Sequence, residues 1–304
     1  MKIIITTSFT PTSRYGAAAS ALADAISGKL GGRVSVRFYD SGTRYDSSEE
    51  LRAVGRGEVH LCIAGFSLAA ESFPELRLLE VPFLFSDRDA ASEALGGEVG
   101  EALFAGMNDA GIEVLGLLPE YRQVVSNDVR PLLLPSDFSE LTLSSDGDLE
   151  ARLIAAFGGV SAPVPSSETY AALQLGRIDG LFSAARSFVA RQYCEVQSYA
   201  TDCGNLTSRF AFVLAGNTFY DGLPEDVREA VDEAVRELAD TMRRDTDGED
   251  EAALARMIED GCQAHVLTEA EREAWIEALE GVYTEYEELI GADLIALAEN
   301  FEEY

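Results

Sequence analysis

The run KIIITTSFTPTSRYGAAASALADAISGKLGGRVSVRF, residues 2–38, decides how this chain begins to fold. Its β-branched opening, residues 2–7, favours an extended strand. A polar turn of Ser, Thr and Pro follows over 8–13. An alanine-rich helix is expected over 15–30, stopped by Gly31-Gly32. Residues 33–38 alternate polar and apolar, the period of a half-buried strand. Further out, a helix around 47–55 leads to an apolar strand at 59–64. This βαβαβ order predicts a parallel sheet with right-handed crossovers. Ligands of such sheets sit beyond the carboxyl ends of the strands, which points to loops 8–15 and 65–67. Ser8, Thr12 and Ser13 in the first loop, and Phe66 and Ser67 in the second, are therefore candidate ligand contacts. Each also reads as a plain turn or helix-capping residue.

A second rhythm begins near Val124, with strands at 141–144, 160–164 and 180–182 and helices at 148–157 and 168–175. After Phe210 a strand at 212–214 brings the chain back. From Pro224 a long acidic helical region runs toward Gly261, with Val227, Ala230, Val231, Ala234 and Leu238 at helical spacing. Residues 245–250 are either its solvated middle or a break. The last 35 or so residues read as amphipathic helices. The expectation is an α/β protein of two lobes. Residues 1–122 plus about 210–245 form the first, and 123–209 plus about 246–304 form the second.

The 304 residues carry 23 Lys+Arg against 54 Asp+Glu, a net charge of −31. A nucleic-acid duplex or an anionic membrane surface is repelled by such a chain. No stretch is apolar for the ~20 residues of a membrane helix, so no direct insertion is expected. The N-terminus reads as a strand rather than a signal peptide, with no apolar leader core. Either a leader was removed, and the protein works outside the cytoplasm, or Met1 is the native start and it works inside. Four cysteines form no C-x-x-C pair, and the two histidines are far apart, so no metal site is expected. Cys62 reads as core; Cys194 and Cys203 either bridge or remain separate thiols. No nucleophilic triad or phosphate loop is visible, so neither a catalytic set nor a cofactor is expected.

Several segments then line up in order: EELRAVGRGEV (49–59), FPEL (73–76), VPFLF (81–85), PSDF (135–138), ETYAALQLGRIDG (168–180) and FYDGLPEDV (219–227). Together they resemble the solute-binding proteins of TRAP-type (tripartite ATP-independent periplasmic) transporters. The resemblance implies a periplasmic-binding-protein, or venus-flytrap, fold with an interlobe cleft and long C-terminal helices. It implies a small organic, acidic ligand, a membrane permease as partner, and no cofactor.

It also implies a carboxylate clamp from an arginine in the strand after the "P-x-D-L" motif. Here Ser144 stands at that position, and serine lacks the planar fork of a guanidinium. A second family arginine corresponds to Arg122, and an asparagine or similar residue after "D-G" to about Ser183. Arg186, Arg209 and Tyr170 are further candidates, each with a structural reading as a solvated arginine or a core aromatic. The alternative is a cytoplasmic enzyme, such as a lyase, isomerase or cyclase, built on the same closing fold.

Overall fold

A computed structural model describes residues 1–145 and 147–302. Eleven strands form among them: β1 Lys2–Thr6, β2 Ser35–Tyr39, β3 Leu61–Ala64, β4 Ile112–Pro119, β5 Gln123–Asn127, β6 Thr142–Ser144, β7 Val160–Ser161, β8 Gly180–Ala184, β9 Tyr199–Asp202, β10 Phe210–Gly216 and β11 Gln263–Val266. They divide between two sheets, one in each of two compact units.

The first unit comprises Met1–Leu78, Ser92–Glu120 and Arg209–Asp245. Its sheet has the order β2-β1-β3-β10-β4. β1 is parallel to β2 and β3, as the βαβαβ pattern requires. The returning strand β10 is antiparallel to both β3 and β4, so the sheet is mixed rather than parallel throughout. All seven β10 residues are buried. The helix Arg14–Leu30 starts where Ser13 accepts the Gly16 N–H and stops at Gly31, whose φ of 53° is the left-handed conformation glycine tolerates. Its Leu22 and Ile26 pack with Ile3, Ile5 and Ile63 of the sheet and with Val231 and Val235. Each such buried side chain contributes about 1.5–3 kcal/mol of transfer free energy.

The second unit comprises Leu79–Ala91, Tyr121–Ser208 and Thr246–Tyr304, of which 146, 303 and 304 lie outside the described residues. Its sheet has the order β11-β9-β5-β8-β6-β7. β6 is parallel to β7 and β8, whereas β5 is antiparallel to β8 and β9. β7 is only two residues long, shorter than the expected 160–164, because Pro163 and Pro165 follow it and lack the N–H that a ladder needs. The short segment Leu79–Ala91 is held by backbone bonds, Phe83 N to Leu206 O (3.0 Å) and Ser208 N to Leu79 O (2.9 Å), which gives the VPFLF motif a structural role. Trp275 is fully buried beside Phe138 and Phe157, and its indole N–H donates to Leu133 O.

Glu225–Glu259 is one helix of 35 residues, and the unit boundary falls inside it, between Asp245 and Thr246. The acidic stretch at 245–250 is therefore the middle of a helix and not a break, with Asp245, Asp247 and Gly248 exposed on one side of it. Thr246 and Asp250 are fully buried.

Candidate functional site

In the second unit, the carboxyl ends of β6, β7 and β8 lie at one edge of the sheet. β5 runs against β8, with Gln123 opposite Ala184, so Arg122 stands at that same edge. The Ala185 N–H donates to Arg122 O at 2.8 Å, which ties the strand-end helix Ala185–Ala190 to it. Ser144 closes β6 and is buried; Ser183 faces Val124 near the end of β8 and is half-buried. Arg186 sits in the first turn of the strand-end helix and is exposed. Four sequence-derived candidates are thus gathered at one edge: Arg122, Ser144, Ser183 and Arg186.

Arg122 is already engaged. Its Nη1 pairs with the fully buried Asp202 at 2.9 Å, and its backbone N–H points at both Asp250 oxygens (3.2 and 3.0 Å). Burial alone lowers the guanidinium pKa, but Asp202, then Asp250 and Asp247, hold it above its usual value. Arg88 bridges Asp247 and Asp250, so two guanidiniums serve three carboxylates here. Removing the Arg122 side chain leaves Asp202 buried without this partner. Arg186 pairs with Glu249 (3.5 Å) and donates to the Tyr121 hydroxyl (2.9 Å), while Tyr121 hydrogen-bonds Glu249.

Tyr170 packs on the core around Leu173 and Phe188, and its hydroxyl donates to Glu195 at 2.6 Å. Glu195 raises its pKa. The remaining candidates lie in the first unit. Arg209 pairs with Glu120 at 3.3 Å. Ser8 offers its N–H to Glu50 at 3.2 Å. Ser13 is the helix cap, Phe66 is buried core, and Thr12 and Ser67 are exposed.

Sequence reading missed the carboxylates that organise Arg122. A signal existed for one of them. Thr246, Asp250, Ala253 and Met257 recur at spacings of four, three and four, so an acid sits on a buried helical stripe.

Two motifs prove to be structural. A Cβ on Gly180 meets Ser126 O at 1.8 Å, so only glycine allows β8 to approach β5, while Asp179 accepts the Thr142 N–H at 2.7 Å and ties in β6. Asp137 of PSDF accepts the N–H groups of Leu133 and Leu134 and shapes the turn before β6.

All four cysteines are free thiols. Cys194 lies beside Cys262 in the second core, not paired with Cys203. Among the described residues, no group of three or more His, Cys, Asp or Glu is placed to hold a metal, and no helix is long and apolar enough to cross a membrane.

The sequence model for bacterial extracellular solute-binding proteins of family 7 matches residues 5–289. The chain belongs to this family. The C4-dicarboxylate-binding periplasmic protein DctP of Rhodobacter capsulatus is 32% identical over 269 residues, 87% of this chain and 80% of that one. A TRAP periplasmic solute-binding protein of Ochrobactrum anthropi superposes with a TM-score of 0.86 at 20% identity, covering 99% and 94% of the two chains. One from Sulfurospirillum deleyianum, crystallised with succinate, gives 0.73 at 27% identity, covering 98% of each. The family is that of TRAP solute receptors, with the two-lobed fold, and its characterised members bind small solutes for membrane permeases. As a family member, the protein binds a small organic solute.

Proposed function

We propose that this receptor works outside the cytoplasm without catalysing a reaction, recognises a small organic anion, and passes it to a TRAP permease. Arg122 supplies the primary positive charge, with Ser144 and Ser183 as neutral hydrogen-bonding neighbours. The carrying observation is the convergence of Arg122, Ser144, Ser183 and Arg186 at the carboxyl-end edge of β6 and β8, where α/β sheets bind ligands. The acidic character follows from the named solutes of the relatives, C4-dicarboxylates and succinate. Serine at 144 leaves the grip on a carboxylate to fewer guanidiniums, so the preferred anion need not be a C4 diacid.

Calorimetric titration with a panel of organic acids tests this, comparing wild type with Arg122→Lys. Lysine keeps the charge beside Asp202 but loses the planar fork. Affinity for the best acid is expected to fall about tenfold, with the melting temperature little changed. Unchanged affinity for every acid overturns the role of Arg122.

A further inference from the structure

The carboxyl end of the helix Glu225–Glu259 carries a pair of thiols that solute binding does not use. Past the helix the chain turns at Gly261, whose φ of 94° suits glycine, and the Cys262 N–H donates back to Met257 O at 2.9 Å. This folds Cys262 inward, where it is buried and its Sγ donates to Gln197 O at 3.3 Å. The next residue is latched too, since the Gln263 N–H donates to Ser198 O at 2.8 Å at the start of the β11–β9 pairing. From the other side, the chain leaves the strand-end helix and reverses at Gln192, which has a φ of 57°. Tyr193 is then buried against Phe188, and the half-buried Cys194 packs on the same core.

The Cys194 Sγ lies 3.9 Å from Met257 O, the carbonyl that also accepts the Cys262 N–H. The two cysteines thus share one cluster and converge on one backbone carbonyl. Burial raises the pKa of both thiols; beyond that, the Cys262 thiol favours ionisation of Cys194, whereas Cys194 helps hold the proton on Cys262. Cys203 directs its sulfur to Thr201 O at 3.6 Å, and Cys62 lies in the first unit; neither belongs to this cluster.

We propose that Cys194 and Cys262 are a disulfide-forming site, closed by exchange with a small disulfide such as oxidised glutathione. Cys194 is the more accessible thiol and attacks first. It gives up its proton and bonds to one sulfur of the reagent, while the other sulfur leaves as a thiolate and takes up a proton. Cys262 then gives up its proton and attacks the Cys194 sulfur, expelling the second reagent thiol. The two cysteines lose two electrons, and the reagent's disulfide is reduced to two thiols. Only weak sulfur contacts, to Met257 O and Gln197 O, are given up. The bond closes a ring of chain from 194 to 262 that includes Arg209–Asp245 of the first unit, so it restricts the unfolded chain and stabilises the fold. The site is independent of the ligand, and a receptor outside the cytoplasm meets the oxidising conditions in which such bonds persist.

The test starts from reduced wild type incubated with excess oxidised glutathione. Non-reducing peptide mapping is expected to find Cys194 joined to Cys262, with the intact mass lowered by two hydrogens. The melting temperature should rise by about 5 °C or more. Cys262→Ala keeps the core position apolar and should stop at a mixed disulfide of glutathione on Cys194. Cys194→Ser should acquire no glutathione at Cys262. Glutathione retained on Cys194 of the wild type, a bond to Cys203, or no oxidation at all overturns the proposal. An adduct on Cys262 in Cys194→Ser overturns the order of attack, and an oxidised form that melts no higher than the reduced one overturns the stabilising role. None of these readouts involves the solute, so failure here leaves the receptor reading standing.

Discussion

Glu50→Gln should stabilise the first unit at neutral and alkaline pH. Glu50 is fully buried on the helix Ser47–Gly55, with one carboxyl oxygen accepting the Ser8 N–H. The other oxygen is buried beside the Thr6 hydroxyl, which lies close enough to favour the charged form but makes no well-aligned hydrogen bond to it. Burial penalises the charged form and raises the carboxyl from 4.5 to about 7, against the hydrogen bonds that favour ionisation. A carboxyl raised by folding is protonated more readily in the native than in the unfolded chain. Its cost is thus absent below about pH 4.5, grows by about 1.4 kcal/mol per pH unit, and is complete above about pH 7. The full cost is about 3 kcal/mol. Glutamine keeps the shape and an acceptor for Ser8 and carries no charge to desolvate. Urea unfolding of both proteins at pH 5, 6, 7 and 8 reads the effect. Taking the difference removes the broad pH dependence of the acidic surface, and amide exchange in β1 and β3 localises it. The variant's advantage should climb from pH 5 to 7 and then level off. A difference that is flat over that interval refutes the argument.

Gly180→Ala should cost more than about 3 kcal/mol or prevent the second unit from folding, because its Cβ falls 1.8 Å from Ser126 O; chemical denaturation measures it. Arg122→Ala should lower stability by about 3–5 kcal/mol through the orphaned Asp202, and adding Asp202→Asn should recover part of this, read by a double-mutant cycle of unfolding free energies. In the native protein a maleimide should label Cys194 before any other thiol, as mapped by mass spectrometry. Cys62 and Cys203 are buried with strongly raised pKa values, and burial pushes Cys262 up to about 12.

Local pattern carried the α/β elements. The helix at 47–55 has Asp46 as its N-cap and an apolar stripe, and it forms over the expected residues. The direction of β10 was not legible, because antiparallel pairing with β3 and β4 depends on where the chain returns after some 90 residues in the other unit. The membership of Leu79–Ala91 is equally non-local, since its partners are at 205–208. At the candidate site, sequence marked Arg122 and Ser144 but not what surrounds them. A guanidinium's carboxylate partners come from β9 and from the middle of a helix, and an acid in a polar run announces nothing unless its helical face is tracked.

The acidic surface does not argue against an anionic solute once distances are compared. A ligand carboxylate about 4 Å from a guanidinium gains roughly 4 kcal/mol at an effective dielectric of 20. A surface carboxylate about 15 Å away repels it by roughly 0.3 kcal/mol in water, and salt at 0.15 M reduces that to about a sixth. Even the whole excess of 31 negative charges, taken at that distance, adds up to only about 1 kcal/mol. The surface is therefore a minor contribution beside the groups at the site itself, where Asp202, Asp250 and Asp247 offset much of the charge of Arg122 and Arg88. The surface charge governs how association depends on ionic strength, because repulsion acts along the approach and is relieved by salt. The choice of ligand is therefore decided by short-range contacts in the binding site rather than by the field of the surface.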